Sequence, residues 1–424
     1  MQKETARSPW TWVPTLYFTQ ALPYIIVTNL LGAMFTARGV DNATMTFYTQ
    51  MLYLPWVIKP LWSPVVDMIR TKRLWTVGMQ FVVALALVLA GSMMKHPSYL
   101  LITVGVGWII AIASATHDIA ADGFYILSLT QNRQAAFVGV RSTFYRLGMI
   151  VGGGLMASFA GAVGRTTGDA ELGWSATFFA MAAAMFAVCI YHLVNLPRPA
   201  ADHPVVESGS KFQEFFDTFI TFFKKKDIWL IIGFILTFRL GESQLLAVAK
   251  AFLMQPVSKG GLGMSLEQWG LSYGTIGVIG LTIGGLLGGY LISRHGLKRC
   301  LWLMVFATHV PDLVFVYLAT ALPQNFYLIS ACLAVEQFGY GLGFTAMLMY
   351  MIMISDGEHK TAHYSICTGL MALGMMVPGM LSGRIQQFLG YQHFFIYVIL
   401  MTIPAFIMAA LVKIDPEFGK KSTA

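Results

Sequence analysis

The chain has 424 residues, of which 56% are hydrophobic and 11% are charged, and its formal net charge is +8. A soluble globular domain carries roughly 25% charged residues, so this composition excludes one and favours a polytopic membrane protein with apolar stretches long enough to cross a bilayer. The basic residues are scattered among short loops, which argues against nucleic-acid binding. The four cysteines show no CxxC spacing, so neither a zinc site nor a disulfide framework is predicted.

Apolar runs between polar breaks predict an all-α protein with twelve transmembrane helices. In chain order they cover residues 12–37, 43–67, 75–94, 99–128, 133–163, 173–195, 228–254, 266–292, 300–321, 325–355, 361–389 and 391–413. The opening MQKETARSPWTW leads into the first run without a clear small-residue cleavage site. We therefore expect no cleaved signal peptide.

The polar stretch 196–227 divides the chain into an N-terminal six-helix bundle (1–195) and a C-terminal six-helix bundle (228–424). The later part of this linker, FQEFFDTFITFFKKK, is amphipathic and is expected to lie flat on the membrane. Most basic loop residues fall on one side of the predicted membrane, so both termini and the linker are predicted to be cytoplasmic. These residues are Arg70, Lys72, Arg73, Arg133, Lys211, Lys224, Lys225, Lys226, Arg294, Lys298, Arg299 and Lys360.

The two halves of the sequence resemble each other. Lys72-Arg73 and Lys298-Arg299 follow the second helix of each half, and LGMIVGG (147–153) matches LGMMVPG (373–379) at the same offset. Two parallel six-helix repeats resemble the plan of the major facilitator superfamily. The loop GGYLISRHGLKR (288–299) resembles the cytoplasmic signature of that superfamily, G-x3-D-R-x-G-R-R, with Ser293 at the aspartate position. The equivalent SPVVDMIRTKR keeps Asp67 but lacks the glycines, and Asp67, Arg294 and Arg299 are predicted to form gate or structural ion pairs.

Several charged residues fall inside predicted helices, where charge is costly and marks function by default. At about 1.5 Å of rise per residue, Arg146, Arg239, Glu242 and Glu336 lie near mid-membrane and Lys59 somewhat to the cytoplasmic side. The superfamily plan implies that all five face a central cavity, whereas Asp312, on helix 9, makes a local contact with His309. The candidate substrate-binding residues are Lys59, Arg146, Arg239, Glu336, Gln20, Tyr24 and Tyr340.

The segment SATHDIAADGFYI (114–126) places two acids one helical turn apart near the cytoplasmic end of helix 4. Asp122 is predicted to pair with Arg141 of helix 5 as a clasp or gate, and Asp118, one turn deeper, remains open to a role in the transport path. Asp118, Glu242 and Glu336 are the candidate proton carriers, and protonation of Glu242 would switch its i,i+3 pair with Arg239. The alternative is that all these charges form fixed structural pairs.

A second alternative is a membrane acyltransferase, because His117 and Asp122 match an H-x4-D pattern in which histidine is the general base. This hypothesis explains neither the internal repeat nor the charges of helices 7 and 10. A channel is disfavoured because no ring of carboxylates or filter loop repeats through the sequence.

Six stretches together resemble the AmpG family of permeases: WVIKPLWSPVVDMIRTKRLW, HDIAADG, RSTFYRLGMIVGGG, FRLGESQ, EQFGYGLGFTAM and LGMMVPGMLSGRI. The chain departs from the family pattern at His117, where glutamine is usual, and at Arg239 and Glu242, which replace lysine and aspartate. It also has room for twelve helices, two fewer than the best-known members. Asp122-Gly123 resembles ferric-siderophore permeases and acetyl-coenzyme A transporters of the endoplasmic reticulum as well.

The AmpG resemblance implies proton-driven import across the bacterial inner membrane. We therefore predict a proton-coupled secondary transporter, not an enzyme, that imports a small anionic or amphoteric solute by alternating access. The resemblance favours a GlcNAc–anhydroMurNAc muropeptide as that solute, with a ferric siderophore or another anionic conjugate as the alternative. The expected partners are the solute, protons and the lipid bilayer. A functional monomer without a cofactor is expected.

Overall fold

The structure is a computed structural model that describes residues 7–129, 131–200, 202–203, 219–355 and 360–419. Within these ranges the chain is helical and contains no β-strand, which confirms the predicted all-α class. Most of the predicted amphipathic stretch of the linker lies outside the described residues, as does the side chain of Asp67.

Twelve helical segments, α1 to α12, follow one another along the described chain. They are α1 (Pro9–Ala37), α2 (Asn42–Met51 and Leu54–Met68), α3 (Lys72–Ser92), α4 (Tyr99–Ser128), α5 (Gln131–Met149, Ile150–Leu155 and Met156–Thr167), α6 (Ala170–Asn195), α7 (Ile228–Phe238 and Leu240–Met254), α8 (Leu266–His295), α9 (Leu297–His309 and Leu313–Ala321), α10 (Phe326–Ile354), α11 (360–389) and α12 (391–411).

Ten segments of the described chain are long and apolar enough to cross a membrane. The difference from the twelve predicted spans has two causes. A turn at Leu52–Tyr53 divides α2 into two short pieces, and α11 and α12 run on as one segment that bends at Gly390, whose φ is +73°. A positive φ at this bend favours glycine for steric reasons. The protein is therefore a multi-pass membrane protein with the predicted helical plan.

Three helices contain a widened, π-helical turn in their interior. These turns are Ile26–Leu30 in α1, Ile150–Leu155 in α5 and Ser272–Gly277 in α8. Two others are interrupted outright, α7 at Arg239 and α9 at residues 310–312. Such turns bend a helix and are frequent at functional positions.

The described chain divides into two compact units. Unit 1 comprises Met1–Phe35 and Ile58–Ser208, and unit 2 comprises Thr36–Val57 and Gly209–Ala424. Residues 36–57 thus pack with α7, α11 and α12, although the sequence assigns them to the N-terminal bundle. The division of the chain at 196–227 stays a prediction.

Close backbone packing at glycines positions the helices that carry the charged residues. In unit 1, a Cβ atom on Gly148 of α5 would lie 2.8 Å from the Cβ of Ala21 in α1. In unit 2, a Cβ on Gly288 of α8 would lie 2.7 Å from the carbonyl oxygen of Leu342 in α10. Small residues at such crossings let membrane helices approach closely. Each unit therefore holds its polar side chains on tightly packed helices.

Candidate functional site

In unit 1, three helices converge on the carboxylate of Asp118. The Lys59 Nζ atom of α2 lies 2.5 Å from Asp118 Oδ2, and the Gln20 amide of α1 donates a hydrogen bond to Asp118 Oδ1. The side chains of Lys59 and Asp118 are 23% and 24% exposed. Two predicted binding residues and one predicted proton carrier therefore form a single cluster. Because the ion pair is only partly covered, its partners remain accessible to a ligand.

One turn further along α4, Asp122 forms a second cluster. The Arg141 guanidinium of α5 lies 2.8 Å from Asp122 Oδ1, and the Tyr17 hydroxyl of α1 donates to the same oxygen at 3.2 Å. The guanidinium also lies over the Tyr17 ring, 4.4 Å from its centroid, which is favourable for a cation. The contact between Asp122 and Arg141 is the one that the sequence predicts, and its role as a clasp or gate stays a prediction.

The remaining predicted residues of unit 1 lie along the contact between α1 and α5. Tyr24 is half-buried with its ring 6.4 Å from that of Tyr145, and Arg146 is half-buried one turn before the widened turn of α5. In unit 2, the predicted gate residues Arg294 and Arg299 are both exposed. The Arg294 guanidinium lies 5.3 Å from the Tyr290 ring centroid.

The imidazole of His117 belongs to a different, buried polar chain. Hydrogen bonds of 3.0 Å join Gln80 of α3 to both His117 of α4 and His192 of α6, and His192 bonds the Thr15 hydroxyl of α1 at 2.9 Å. Asp122 is meanwhile bound to Arg141 and Tyr17. His117 is thus held away from the acid that would have to assist it as a general base. This geometry does not support the acyltransferase hypothesis.

In unit 2, the break in α7 positions an ion pair that is almost completely buried. Arg239 Nε lies 3.2 Å from Glu242 Oε2, and Arg239 Nη2 lies 3.2 Å from Glu242 Oε1, so the contact is bidentate. The two side chains are 5% and 0% exposed. The guanidinium lies 5.0 Å from the ring centroids of Tyr340 and Phe344 in α10. A buried ion pair of this kind is strongly destabilised when one partner loses its charge.

Two more acids of unit 2 are fully buried. The Gln337 amide donates to Glu336 Oε2 at 2.9 Å, whereas Glu336 Oε1 has no hydrogen-bond partner among the described residues. Asp312, which ends the break in α9, is 1% exposed, and neither of its oxygens has a partner within the described ranges. The same holds for both ring nitrogens of His309. The local contact expected between Asp312 and His309 is therefore not a hydrogen bond.

Sequence analysis missed several buried polar residues. Lys250 of α7 is 4% exposed and is the single charged residue in the apolar stretch LLAVAKAFLM, so the reasoning that identified Lys59 would also have found it. Gln80 and His192 are uncharged at neutral pH and have no telling spacing. Their contacts depend on how α3 and α6 face each other, which the sequence does not reveal.

Comparisons with known proteins agree with this arrangement. The sequence profile of the Major Facilitator Superfamily matches residues 15–310 and 240–424. The anhydromuropeptide permease of Escherichia coli (strain K12) is 24% identical over 410 residues, which cover 96% of this chain and 80% of the relative. The nucleoside transporter NupG superposes with a TM-score of 0.72 at 17% identity, covering 95% of this chain and 99% of the other. The D-xylose–proton symporter gives 0.69 at 14% identity, covering 95% and 97%.

Proposed function

Because the chain belongs to the Major Facilitator Superfamily, we propose that this secondary transporter couples the import of a small anionic or amphoteric solute to protons by alternating access. The observation that carries the proposal is the buried, bidentate Arg239–Glu242 pair at the break in α7. A protonated Glu242 would no longer neutralise Arg239, and the guanidinium would then favour an anionic group of the solute.

Unit 1 supplies a second acid–base pair of the same kind. Protonation of Asp118 would weaken its attraction for Lys59, whose ammonium is already partly accessible. Gln20, Tyr24 and Tyr340 add amide and hydroxyl groups for polar parts of the solute, and Arg146 adds a further cation. Glu336 is a third acid that can carry a proton. Charged groups buried in a membrane protein are costly and serve such pathways in many transporters.

We further propose a cell-wall-derived GlcNAc–anhydroMurNAc muropeptide as the solute. Support comes from the similarity to the anhydromuropeptide permease over nearly the whole chain and from the cations of α2, α5 and α7, which suit a carboxylate-bearing ligand. The basic loops support a location in the bacterial inner membrane with both termini in the cytoplasm. The bundle-based domain plan and a functional monomer belong to the same proposal.

The test is uptake of labelled GlcNAc–anhydroMurNAc into proteoliposomes under an imposed inward proton gradient. Accumulation that collapses when a protonophore is added is the expected result. Arg146→Ala serves as the matched inactive variant and should abolish uptake while the protein remains folded; full activity would remove Arg146 from the transport path. If folded, correctly oriented wild-type protein shows no uptake, the muropeptide is the wrong solute, and ferric siderophores and other anionic conjugates become the next substrates to test.

Proton coupling is tested by Glu242→Gln, which keeps the shape of the side chain but cannot ionise. We expect gradient-driven accumulation to fall by about tenfold, a typical coupling between two ligands, while counterflow exchange of the solute stays near the wild-type rate. Equal loss of both activities would show that Glu242 binds the solute or is structural, and would contradict its role as a proton carrier.

A further inference from the structure

The acids Asp312 and Glu336 differ from every pair described above, because within the described ranges neither lies in a salt bridge. Asp312 is 1% exposed and Glu336 is 0% exposed. Three of their four carboxyl oxygens lack a hydrogen-bond partner among the described residues, namely both oxygens of Asp312 and Oε1 of Glu336. Buried polar atoms almost always have partners, so two such side chains in one unit require an explanation.

The described surroundings of Asp312 offer no positive charge to balance an ionised carboxylate. The charged groups that act on it electrostatically are Glu336 and Glu242, both acids. Glu242 is already neutralised by Arg239. Two neighbouring carboxylates in an apolar interior repel each other strongly, and a bound proton removes that repulsion. Among the described residues no group of three or more metal-binding side chains occurs, so a tightly held metal ion does not account for the acids.

Other titratable groups close to the two acids cannot act as counter-charges either. His309 precedes Asp312 by one turn, and its imidazole packs against the rings of Phe238 and Phe406 at 5.7 and 5.5 Å. On the side of Glu336, the Gln337 amide bridges to the Tyr273 hydroxyl of α8 at 3.4 Å. Tyr340 lies one turn from Glu336 and faces Arg239. The acids are thus surrounded by neutral donors and aromatic rings.

We propose that Asp312 and Glu336 together form a proton-binding site of unit 2, separate from the Arg239–Glu242 ion pair. The inference rests on the proposed proton coupling and deepens it by adding a carboxyl group on α9. The superfamily plan had suggested only a local structural role for that residue. Binding converts a carboxylate and a proton into a neutral carboxylic acid, so no other reactant is needed. The break in α9 brings the Asp312 carboxyl to this position.

The direct test is infrared spectroscopy of the purified, reconstituted protein during an alkaline titration, because a protonated carboxylic acid has its own carbonyl stretch. Wild-type protein should show this band at neutral pH and lose it at alkaline pH. Asp312→Asn and Glu336→Gln should each remove part of the band, and the double variant should remove the most. Asp227→Asn is the matched control, because Asp227 pairs with Lys413 at the surface and should leave the band unchanged.

An unchanged band in both single variants and in the double variant would overturn the proposal. If Asp312→Asn does not fold, Asp312→Glu keeps the acid and should shift the band without removing it; a band that does not shift would also count against the proposal. This readout needs no solute, so it decides about the proton site even if the solute proposed above is wrong.

A transport measurement completes the test. Asp312→Asn should reduce gradient-driven accumulation by about tenfold and leave counterflow within about twofold of wild type, as expected for a coupling residue that does not touch the solute. Retention of full gradient-driven accumulation would contradict the site even if the infrared band is lost. Absence of uptake by the wild type would instead count against the proposed function, not against the proton site.

Discussion

The two units handle buried charge in different ways. In unit 1, Asp118 and Asp122 pair with Lys59 and Arg141, and the side chains of these pairs are 23–39% exposed. In unit 2, the Arg239–Glu242 pair is nearly inaccessible, and two further acids lack a salt bridge among the described residues. An ion pair that water can reach exchanges partners at low cost, whereas a buried pair is costly to break. The comparison assigns exchange of ligands to unit 1 and storage of protons to unit 2.

The largest effect is expected when Arg239 is removed. Arg239→Ala leaves Glu242 buried without its counter-charge, and breaking such a pair costs about 3–5 kcal/mol. We expect a marked loss of thermal stability in detergent, measured by intrinsic tryptophan fluorescence. Combining Arg239→Ala with Glu242→Gln should recover part of that stability, because the uncompensated charge is gone. A single variant as stable as wild type would show that the two units do not differ in the way described.

A smaller effect is expected for the accessible pair of unit 1. A double-mutant cycle with Lys59→Met and Asp118→Asn should give a coupling energy of about 2 kcal/mol, within the range for side chains in direct contact. Unfolding in mixed micelles measures it, with the surface pair Lys95 and Asp169 as the matched control cycle. A coupling energy larger than that of Arg239 and Glu242 would reverse the order of the two units.

The polar chain through Gln80 should contribute to stability without contributing to chemistry. His117→Ala removes one hydrogen bond and should cost about 1–2 kcal/mol, because the Gln80 amide loses its partner in a buried position. Transport should persist, and His117→Gln, which keeps a polar group there, should restore most of the stability. Loss of all transport in a folded His117→Ala protein would give His117 a role in the mechanism.

The smallest effect is expected at the surface, where Asp169 bonds the Lys95 ammonium at 2.6 Å and the Leu172 N–H at 2.9 Å. The hydrogen bond from Lys95, followed by that from Leu172, holds the pKa of Asp169 below its ordinary value. Since the folded pKa is the lower one, this stabilisation is present above the ordinary value and is lost as the pH falls through the folded value.

Asp169→Asn should therefore flatten the acid limb of the Tm–pH curve slightly and leave the neutral region unchanged, and added salt should reduce the difference further. A change at neutral pH as large as that of His117→Ala would show that this exposed pair matters more than its position suggests.

Much of the fold follows from the sequence, because apolar length and polar breaks determine where a helix can cross a membrane. The predicted helix 99–128 coincides with α4 (Tyr99–Ser128). The breaks were not predicted. Leu52–Tyr53 and Arg239 interrupt stretches whose local composition favours a continuous helix, and only packing against neighbouring helices determines that the backbone leaves helical geometry there.

The site shows the same division between local and distant information. The contact between Arg239 and Glu242 follows from their spacing along one helix, and that between Asp122 and Arg141 from similar depth on adjacent helices. The contact between Lys59 and Asp118 depends on the rotation of α2 and α4 about their axes, which periodicity in nearly uniform apolar stretches defines poorly. The burial of Asp312 without a hydrogen-bond partner among the described residues likewise depends on the break in α9.

The widened turns of α1, α5 and α8 have a consequence for how such a gene can change in length. A π-helical turn holds one residue more than an α-helical turn, so losing one codon within Ile150–Leu155 would leave an ordinary helix with both flanks still facing the same way. The same deletion in a uniform part of α4 would turn the remainder by about 100° and expose its polar side chains to lipid. Inherited single-residue deletions and insertions in membrane helices should therefore accumulate at these three turns.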